Sequence, residues 1–320
     1  MSTKILQHNR FFKKILNFQQ ISITVALLIL FVIMTVLSPD KFFTMANFIN
    51  VVRQTSTILI MAAGITFIII IGGIDLSAGS IACCSGIFTA SFLSLGLPTV
   101  VAILVGLIIT SAIGLINGLV IAKLRFAPFI MTLATTTTVK GLTLLYCDGR
   151  PITGIPEGPI ALGRGYIGII PIPVIIMVIL IFIMWITLTK TKFGKYVFAI
   201  GGNEECARLS GIKVEKIKIL VYTLGGFCSG LTGILLTLRL GTGQPSLANG
   251  MELDAITAVA IGGTSMSGGR GSILGTILGC LFMTFLTNGL NVLGISSFWQ
   301  QTLTGIILVI AVLLYDKKKK

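Results

Sequence analysis

The chain is poor in charge, in histidine and in tryptophan, with one histidine and two tryptophans among 320 residues. Only 11% of its residues are charged, whereas 54% are hydrophobic, and the mean hydropathy is +1.02. A chain this apolar cannot hide its hydrophobic surface in one water-soluble core, so most of it must lie in lipid. A helix needs about 20 apolar residues to cross a hydrocarbon layer about 30 Å thick. The length therefore allows about ten crossings joined by short loops.

The sequence also lacks the motifs of common active sites. It contains no GxxxxGK[ST] phosphate loop, no G-x-S-x-G elbow and no H-E-x-x-H. The single histidine, His8, lies in a polar tail, and the six cysteines form no C-x-x-C pair. Cys83, Cys84, Cys228 and Cys280 stand within apolar runs, which predicts small buried side chains. We predict no catalytic residue, no metal site and no cofactor bound by this chain.

The net charge of +14 does not indicate nucleic-acid binding, because the basic residues stand between apolar runs. Lysine and arginine are instead retained in the cytoplasmic loops of bacterial membrane proteins. The apolar run at 21–37 lacks a small-residue cleavage site, so we predict a retained first helix. The expected crossings are 20–38, 50–71, 80–97, 99–121, 126–146, 168–189, 219–239, 252–267, 272–292 and 298–315.

Ten crossings place both termini in the cytoplasm, and the basic residues agree. Of the 24 Lys and Arg residues, 18 fall on the predicted inner side. The other six fall on outer loops or near helix ends, where long side chains can snorkel: Lys41, Arg53, Lys140, Arg150, Arg164 and Arg239. We predict an all-α transmembrane bundle forming one domain over 1–320. Its non-membrane parts are an N-terminal tail at 1–19, a cytoplasmic loop at 190–216 and a basic tail at 316–320.

Two segments resemble each other, IGGIDLSAGSI near residue 75 and IGGTSMSGGRGSI near residue 267. Transporters are often built from repeats that meet near the substrate path. Glycine and serine also recur wherever membrane helices pack closely. Both interpretations, duplication and recurrent packing, stay open at this point.

The loop at 190–216 is far more polar than any other connection. Asn203 is a suitable N-cap, Glu204 and Glu205 follow in the first turn, and Gly211 is a suitable stop. The pattern predicts an amphipathic helix of about two turns that docks on a soluble motor subunit. The alternative is a solvated connector.

At this loop the sequence resembles a known family. The stretches GKYVFAIGGNEECARLSGI, GGIDLSAGS and ELDAITAVAIGGTSMSGGRGSILGT are similar to the permease subunits of ribose-type ABC importers. The resemblance implies inward transport of a monosaccharide, with D-ribose the nearest candidate, across the bacterial cytoplasmic membrane. It also implies a second permease copy, a separate subunit that uses ATP, and a periplasmic or lipid-anchored sugar-binding protein.

In this family the ATPase grips the G-N-E-x-A-x-x-x-G-I loop. The matching residues are Gly202, Asn203, Glu204, Ala207, Arg208, Leu209, Ser210, Gly211 and Ile212. Relatives usually carry two small residues after the glutamate, where this chain has Glu205 and Cys206, which changes the surface of the helix slightly.

A sugar path needs scattered polar groups that bind hydroxyls weakly. The candidates are Asp75, Ser77, Asn117, Gln244, Glu252, Asp254, Asn288 and Asn291. Asp75 has an alternative role as a helix cap, as have Glu252 and Asp254 at the outer end of the eighth crossing. Asn117 and Asn288 are equally suited to helix-to-helix hydrogen bonds.

Two further features each allow more than one interpretation. Glycines at helical spacing, among them Gly225, Gly226, Gly230, Gly233, Gly275 and Gly279, suit tight packing, a dimer interface or a hinge. The outer segment 147–165 suits either a docking surface for the binding protein or a plain connector.

The alternative function is a secondary transporter or channel for a small polar solute. Such a protein would need membrane-embedded acids, and this chain has few of them. A membrane enzyme lacks the clustered nucleophiles, acids or metal ligands that it requires.

Overall fold

The computed structural model describes residues 18–317, and it is almost entirely helical. The predicted basic tails therefore lie largely outside the described residues. One two-stranded hairpin, β1 (Tyr166–Ile167) and β2 (Ile170–Pro171), interrupts the helices. The helices are α1 (Phe18–Leu37), α2 (Pro39–Phe42), α3 (Met45–Ile70), α4 (Ala78–Ser94), α5 (Thr99–Lys123), α6 (Pro128–Cys147), α7 (Glu157–Arg164), α8 (Ile172–Lys190), α9 (Lys192–Gly202), α10 (Glu204–Leu209), α11 (Val214–Leu240), α12 (Met251–Ile261), α13 (Ile273–Val292) and α14 (Ser297–Lys317).

Helix α11 is the centre of the bundle, and its glycines bring three neighbouring backbones close. A Cβ added at Gly226 would overlap the carbonyl oxygen of Thr110 on α5. One added at Gly233 would overlap the carbonyl oxygen of Ala82 on α4. A Cβ at Gly64 on α3 would lie 3.1 Å from the Cα of Gly225. These glycines therefore pack helices within one copy of the chain, and their interpretation as a dimer interface is wrong.

A second glycine contact joins α12 to α13. A Cβ at Gly275 would overlap the carbonyl oxygen of Gly262, and a Cβ at Gly279 would overlap that of Ala258. These two glycines also serve packing within the chain. Helix α3 is buried on every side from Leu59 to Ile70, which accounts for its lack of a polar face.

Within the part of the chain that the structure describes, six of the ten predicted crossings coincide with helices long and apolar enough to cross a membrane, namely α1, α3, α5, α8, α11 and α13. The count of ten stays a prediction. Helix α4 has 17 residues, and the middle of α6 is polar. Helix α12 has 11 residues, about 16 Å at 1.5 Å per residue. The helix in the predicted crossing at 252–267 ends at Ile261, before Gly262 and Gly263.

The segment between α6 and α8 is more than a connector. It contains α7, whose last residue, Arg164, points its guanidinium at the end of α11. The Nε of Arg164 donates to the carbonyl oxygen of Arg239 and an Nη to that of Leu240, both at 2.6 Å. A cation at the C-terminus of a helix satisfies carbonyl groups that have no partner within the helix. The segment thus fixes the C-terminal end of the central helix.

Candidate functional site

Helix α10 has the capping that its sequence predicted. The Asn203 side-chain oxygen accepts the Cys206 N–H at 2.9 Å, which satisfies one free donor of the first turn. At the other end Gly211 has a φ of +82°, and the N–H of Ile212 reaches the Ala207 carbonyl oxygen at 3.1 Å. This is the glycine-terminated ending typical of short helices. The prediction of a short helix between Asn203 and Gly211 is confirmed.

The exposed side chains of α10 divide into two groups. Glu204 pairs with Lys218 of α11 at 2.6 Å and with Arg208 at 3.5 Å. Arg208 also pairs with Glu215 of α11, and this hydrogen bond raises the pKa of Arg208. These pairs hold α10 against the start of α11. Glu205 and Leu209 are left facing outward, and Leu209 is 83% exposed.

Behind α10, helix α9 contacts the two loops that carry the similar motifs. A Cβ at Gly201 would overlap the carbonyl oxygen of Ile70 and lie 2.5 Å from the nitrogen of Gly269. The Gly269 N–H donates to the same Ile70 carbonyl at 2.9 Å. We name this contact of Ile70, Gly201 and Gly269 the glycine junction. It brings both Ile-Gly-Gly loops and the polar segment 190–216 to one point, although a common origin of the loops stays a prediction.

A cavity of about 540 Å³ lies beside α10. Its lining combines α10 with the connection between α5 and α6: Ile121, Ala122, Arg125, Phe126, Pro128, Glu204, Glu205, Arg208 and Lys218. Arg125 and Phe126 were not predicted to belong to this site. Arg125 has a φ of +55°, an uncommon conformation outside glycine, and Phe126 is exposed. The surface available to a partner is therefore wider than the α10 motif.

Three path candidates form one buried network at the start of α4. The Asp75 carboxylate accepts the Ser77 N–H at 2.8 Å and the Ser77 hydroxyl at 2.5 Å. Asn117 donates to the Ser77 hydroxyl at 3.1 Å and accepts from Thr135 at 2.6 Å. All four side chains are buried. The network ties the loop after α3 to α5 and α6, so Asn117 makes the interhelical bond that was its alternative role.

The acidic candidates lie at the start of α12. Glu252 and Asp254 fall in its first turn, where no side-chain hydrogen bond caps the helix. The Glu252 carboxylate lies against Gly79, at the start of α4. Asp254 lies near Thr304 of α14. Gln244 donates weakly to the Thr242 hydroxyl at 3.3 Å.

The last two candidates serve separate contacts. Asn288 and Asn47 exchange two side-chain hydrogen bonds of 3.0 and 3.1 Å between α13 and α3. Exposed Asn291 accepts from Gln300 at 2.7 Å. Asp75, Ser77, Asn117 and Glu252 thus lie close together at the start of α4, whereas the other four candidates lie elsewhere. Whether any of them meets a sugar stays a prediction.

One charged residue of the membrane bundle received no role from the sequence. Lys140 was assigned to an outer helix end, yet it lies seven residues before the end of α6 and is exposed. Its Nζ lies 3.5 Å from the Asn249 Oδ1. A lysine within an otherwise helical crossing is the signal that points to it.

Apolar spanning helices, buried polar networks between them and a capped polar helix on one face together define a multi-pass membrane permease. The chain belongs to the family described as "Branched-chain amino acid transport system / permease component", whose model matches residues 47–312. It is therefore a permease component of the bacterial inner membrane. No solved structure matches the chain.

Its relatives include several sugar permeases. The chain is 48% identical over 303 residues to the ribose import permease protein of Bacillus subtilis (strain 168), covering 94% of each chain. It is 42% identical over 323 residues to the ribose import permease protein of Escherichia coli (strain K12), covering all of both. It is 36% identical to the galactose/methyl galactoside import permease protein of Haemophilus influenzae, covering 94% of this chain and 96% of the relative.

Proposed function

We propose that this chain is the transmembrane subunit of an ABC importer that moves a monosaccharide, D-ribose, into the cell. The observation that carries the proposal is similarity along the whole chain, at 42–48% identity, to proteins named ribose import permeases. The galactoside relative is more distant at 36%. The description of the family names an amino-acid system, so the transport experiment must compare both substrate classes.

The second part of the proposal is that a separate ATP-binding subunit drives transport by docking on α10. The chain lacks a phosphate loop, and we expect it to bind no cofactor of its own. Leu209 supports the docking, because a large apolar side chain that is 83% exposed outside the hydrocarbon is suited to burial in a partner. The cavity beside α10 combines apolar residues such as Phe126 with the charged Arg125, Glu204, Glu205, Arg208 and Lys218, and it is suited to a side chain of that partner.

The glycine junction offers a route by which movement of α10 reaches the membrane helices. Helix α9 contacts the backbone of Ile70 at the end of α3, and Gly269 before α13 shares that contact. Backbone atoms in contact leave no flexible side chain to absorb a displacement. We infer that closure of the ATPase shifts α9 and, through it, both Ile-Gly-Gly loops.

Two further partners complete the proposed assembly. A second copy of the chain is the first of them, as the similarity to ribose import permeases suggests. A periplasmic or lipid-anchored sugar-binding protein docks at the opposite end, over the segment that contains α7. We expect both termini of the permease to lie in the cytoplasm.

Leu209→Glu is the sharpest test of the docking surface. We expect this variant to fold, because the side chain is outside the core, but to lose co-purification with the ATP-binding subunit. Leu95→Glu is the matched control, since Leu95 is 71% exposed at the far end of α4. Equal recovery of the ATPase with both variants would show that α10 is not the docking surface.

The substrate is tested by reconstituting the permease, its ATPase and the sugar-binding protein in vesicles. Uptake of labelled ribose should require ATP and persist in the presence of an ionophore, whereas labelled leucine should not enter. Uptake without ATP that collapses with the ionophore would indicate a secondary transporter instead. Uptake of leucine would replace the sugar assignment.

A further inference from the structure

The segment between α11 and α12 re-enters the bundle beside α4. A Cβ at Gly243 would lie 2.7 Å from the Ala90 Cβ, near the outer end of α4. The Cys83 thiol donates to the Pro245 carbonyl oxygen at 3.3 Å. A Cβ at Gly79 would lie 2.7 Å from the Ala248 carbonyl oxygen. Residues 243–248 therefore descend along α4 from Ala90 to Gly79, about 16 Å at 1.5 Å per residue.

This segment is irregular and partly exposed at that depth. Ser246 and Asn249 are exposed, and Ala248 and Gly250 have positive φ angles of +57° and +81°. Non-helical backbone at membrane depth is tolerated only where it is buried in protein or lines a water-filled cavity. Because the Asn249 side chain is exposed, protein of the same copy does not cover it, and the side of the segment that bears it must meet water.

Lys140 faces the same region from α6. It is thirteenth among the 20 residues of that helix, about 18 Å from its first residue and about 10 Å from its last. A lysine ammonium on the lipid surface at that depth is costly. The Nζ approaches Asn249 instead, and Lys140 also acts electrostatically on Glu252 of α12. A cation and an amide thus meet on one exposed strip, beside the partly buried Glu252.

We propose that Lys140 and Asn249 line the aqueous translocation path and hydrogen-bond the hydroxyl groups of the passing monosaccharide. The inference rests on the proposed function as a sugar permease. An ammonium group donates up to three hydrogen bonds, and a primary amide both donates and accepts. The two groups together match adjacent sugar hydroxyls, which also donate and accept. Their mutual contact is long at 3.5 Å, so a hydroxyl replaces it at little cost.

Cysteine accessibility tests this placement in the assembled importer. We expect Lys140→Cys and Asn249→Cys to react with a charged, membrane-impermeant thiol reagent and to lose this labelling when ribose saturates the complex. Leu142→Cys is the matched control on the same helix. Leu142 is 62% exposed, but it lies nearly opposite Lys140 around α6, so it should stay unlabelled in the lipid. Mass spectrometry of each peptide lets native exposed Cys206 remain as a reference.

A transport measurement separates contact with sugar from a structural role. Lys140→Met should lower the kcat/KM of ribose uptake about tenfold or more, because a hydrogen bond from a charged group is lost. Lys140→Arg should restore most of it. Equal uptake by Lys140→Met and the parent chain would refute contact with the sugar.

The outcomes distinguish this inference from the proposed function. If the parent complex imports ribose with ATP while both cysteines stay unlabelled, the inference is wrong and the function stands. If Leu142→Cys reacts as fast as the other two, the strip is not distinct from the rest of the surface and the inference is also wrong. Parent uptake without ATP would refute the function, whatever the labelling shows.

Discussion

Replacing Gly201 by alanine should destabilise the permease, whereas the same change at Gly202 should not. A Cβ at Gly201 would overlap the Ile70 carbonyl oxygen, whereas one at Gly202 would meet nothing within 4 Å. Both glycines end α9, so they share the same local conformation and the same helix. The pair therefore isolates the effect of contact with the two loops.

The magnitude follows from three contributions. Overpacking against backbone costs about 1–3 kcal/mol. Displacing Ile70 also weakens its hydrogen bond from Gly269, which contributes about 1 kcal/mol. Alanine recovers up to about 1 kcal/mol of helix propensity at either position. We therefore expect Gly201→Ala to be destabilising by about 1–3 kcal/mol and Gly202→Ala to be neutral or slightly stabilising.

Thermal unfolding of the detergent-solubilised permease measures this difference without a partner. Loss of the monodisperse peak in size-exclusion chromatography after heating gives the midpoint for each variant. Gly201→Ala should melt below the parent chain, and Gly202→Ala should melt at or above it. Equal midpoints for the two variants would refute the glycine junction as a packed contact.

Two other predictions concern hydrogen bonds at single sites. Asn288→Leu leaves Asn47 without its side-chain partner and should lower the free energy of unfolding by about 1–3 kcal/mol. Adding Asn47→Leu to this variant should recover part of the loss. If thermal melts show that the effects of the two substitutions simply add, the two residues are not a coupled pair. Asn203→Ala removes the cap of α10 at a cost of about 1 kcal/mol and should weaken binding to the ATPase subunit, whereas Asn203→Asp should preserve this binding. Titration of the ATPase subunit against each variant measures the affinity. Unchanged affinity for the alanine variant would contradict a role of the cap.

Local rules explain what the sequence predicted well. The Asn203 cap and the Gly211 stop depend only on residues inside a short stretch, so the position of α10 was predictable. The crossings α1, α8 and α13 were also predictable, since each is a long apolar run. Burial of Cys83 and Cys228 followed from the same hydropathy.

The features that the sequence did not predict depend on tertiary contacts. Gly243 and Asn249 stand in a polar, glycine-containing stretch that hydropathy assigns to an outer loop, and only the contacts with α4 place it inside the bundle. The short length of α12 depends on where Gly262 meets α13. The partner of Asn117 is likewise set by the loop before α4, which a reading along the chain does not reveal.

The glycine contacts of α11 also limit how this permease can change shape. Where Gly226 meets α5 and Gly233 meets α4, carbonyl groups face bare Cα atoms, so sliding by one residue would drive side chains into a neighbouring backbone. Helices α3, α4, α5 and α11 therefore form a rigid frame. A transport cycle must therefore move this frame as one body relative to the remaining helices, rather than slide its members past one another.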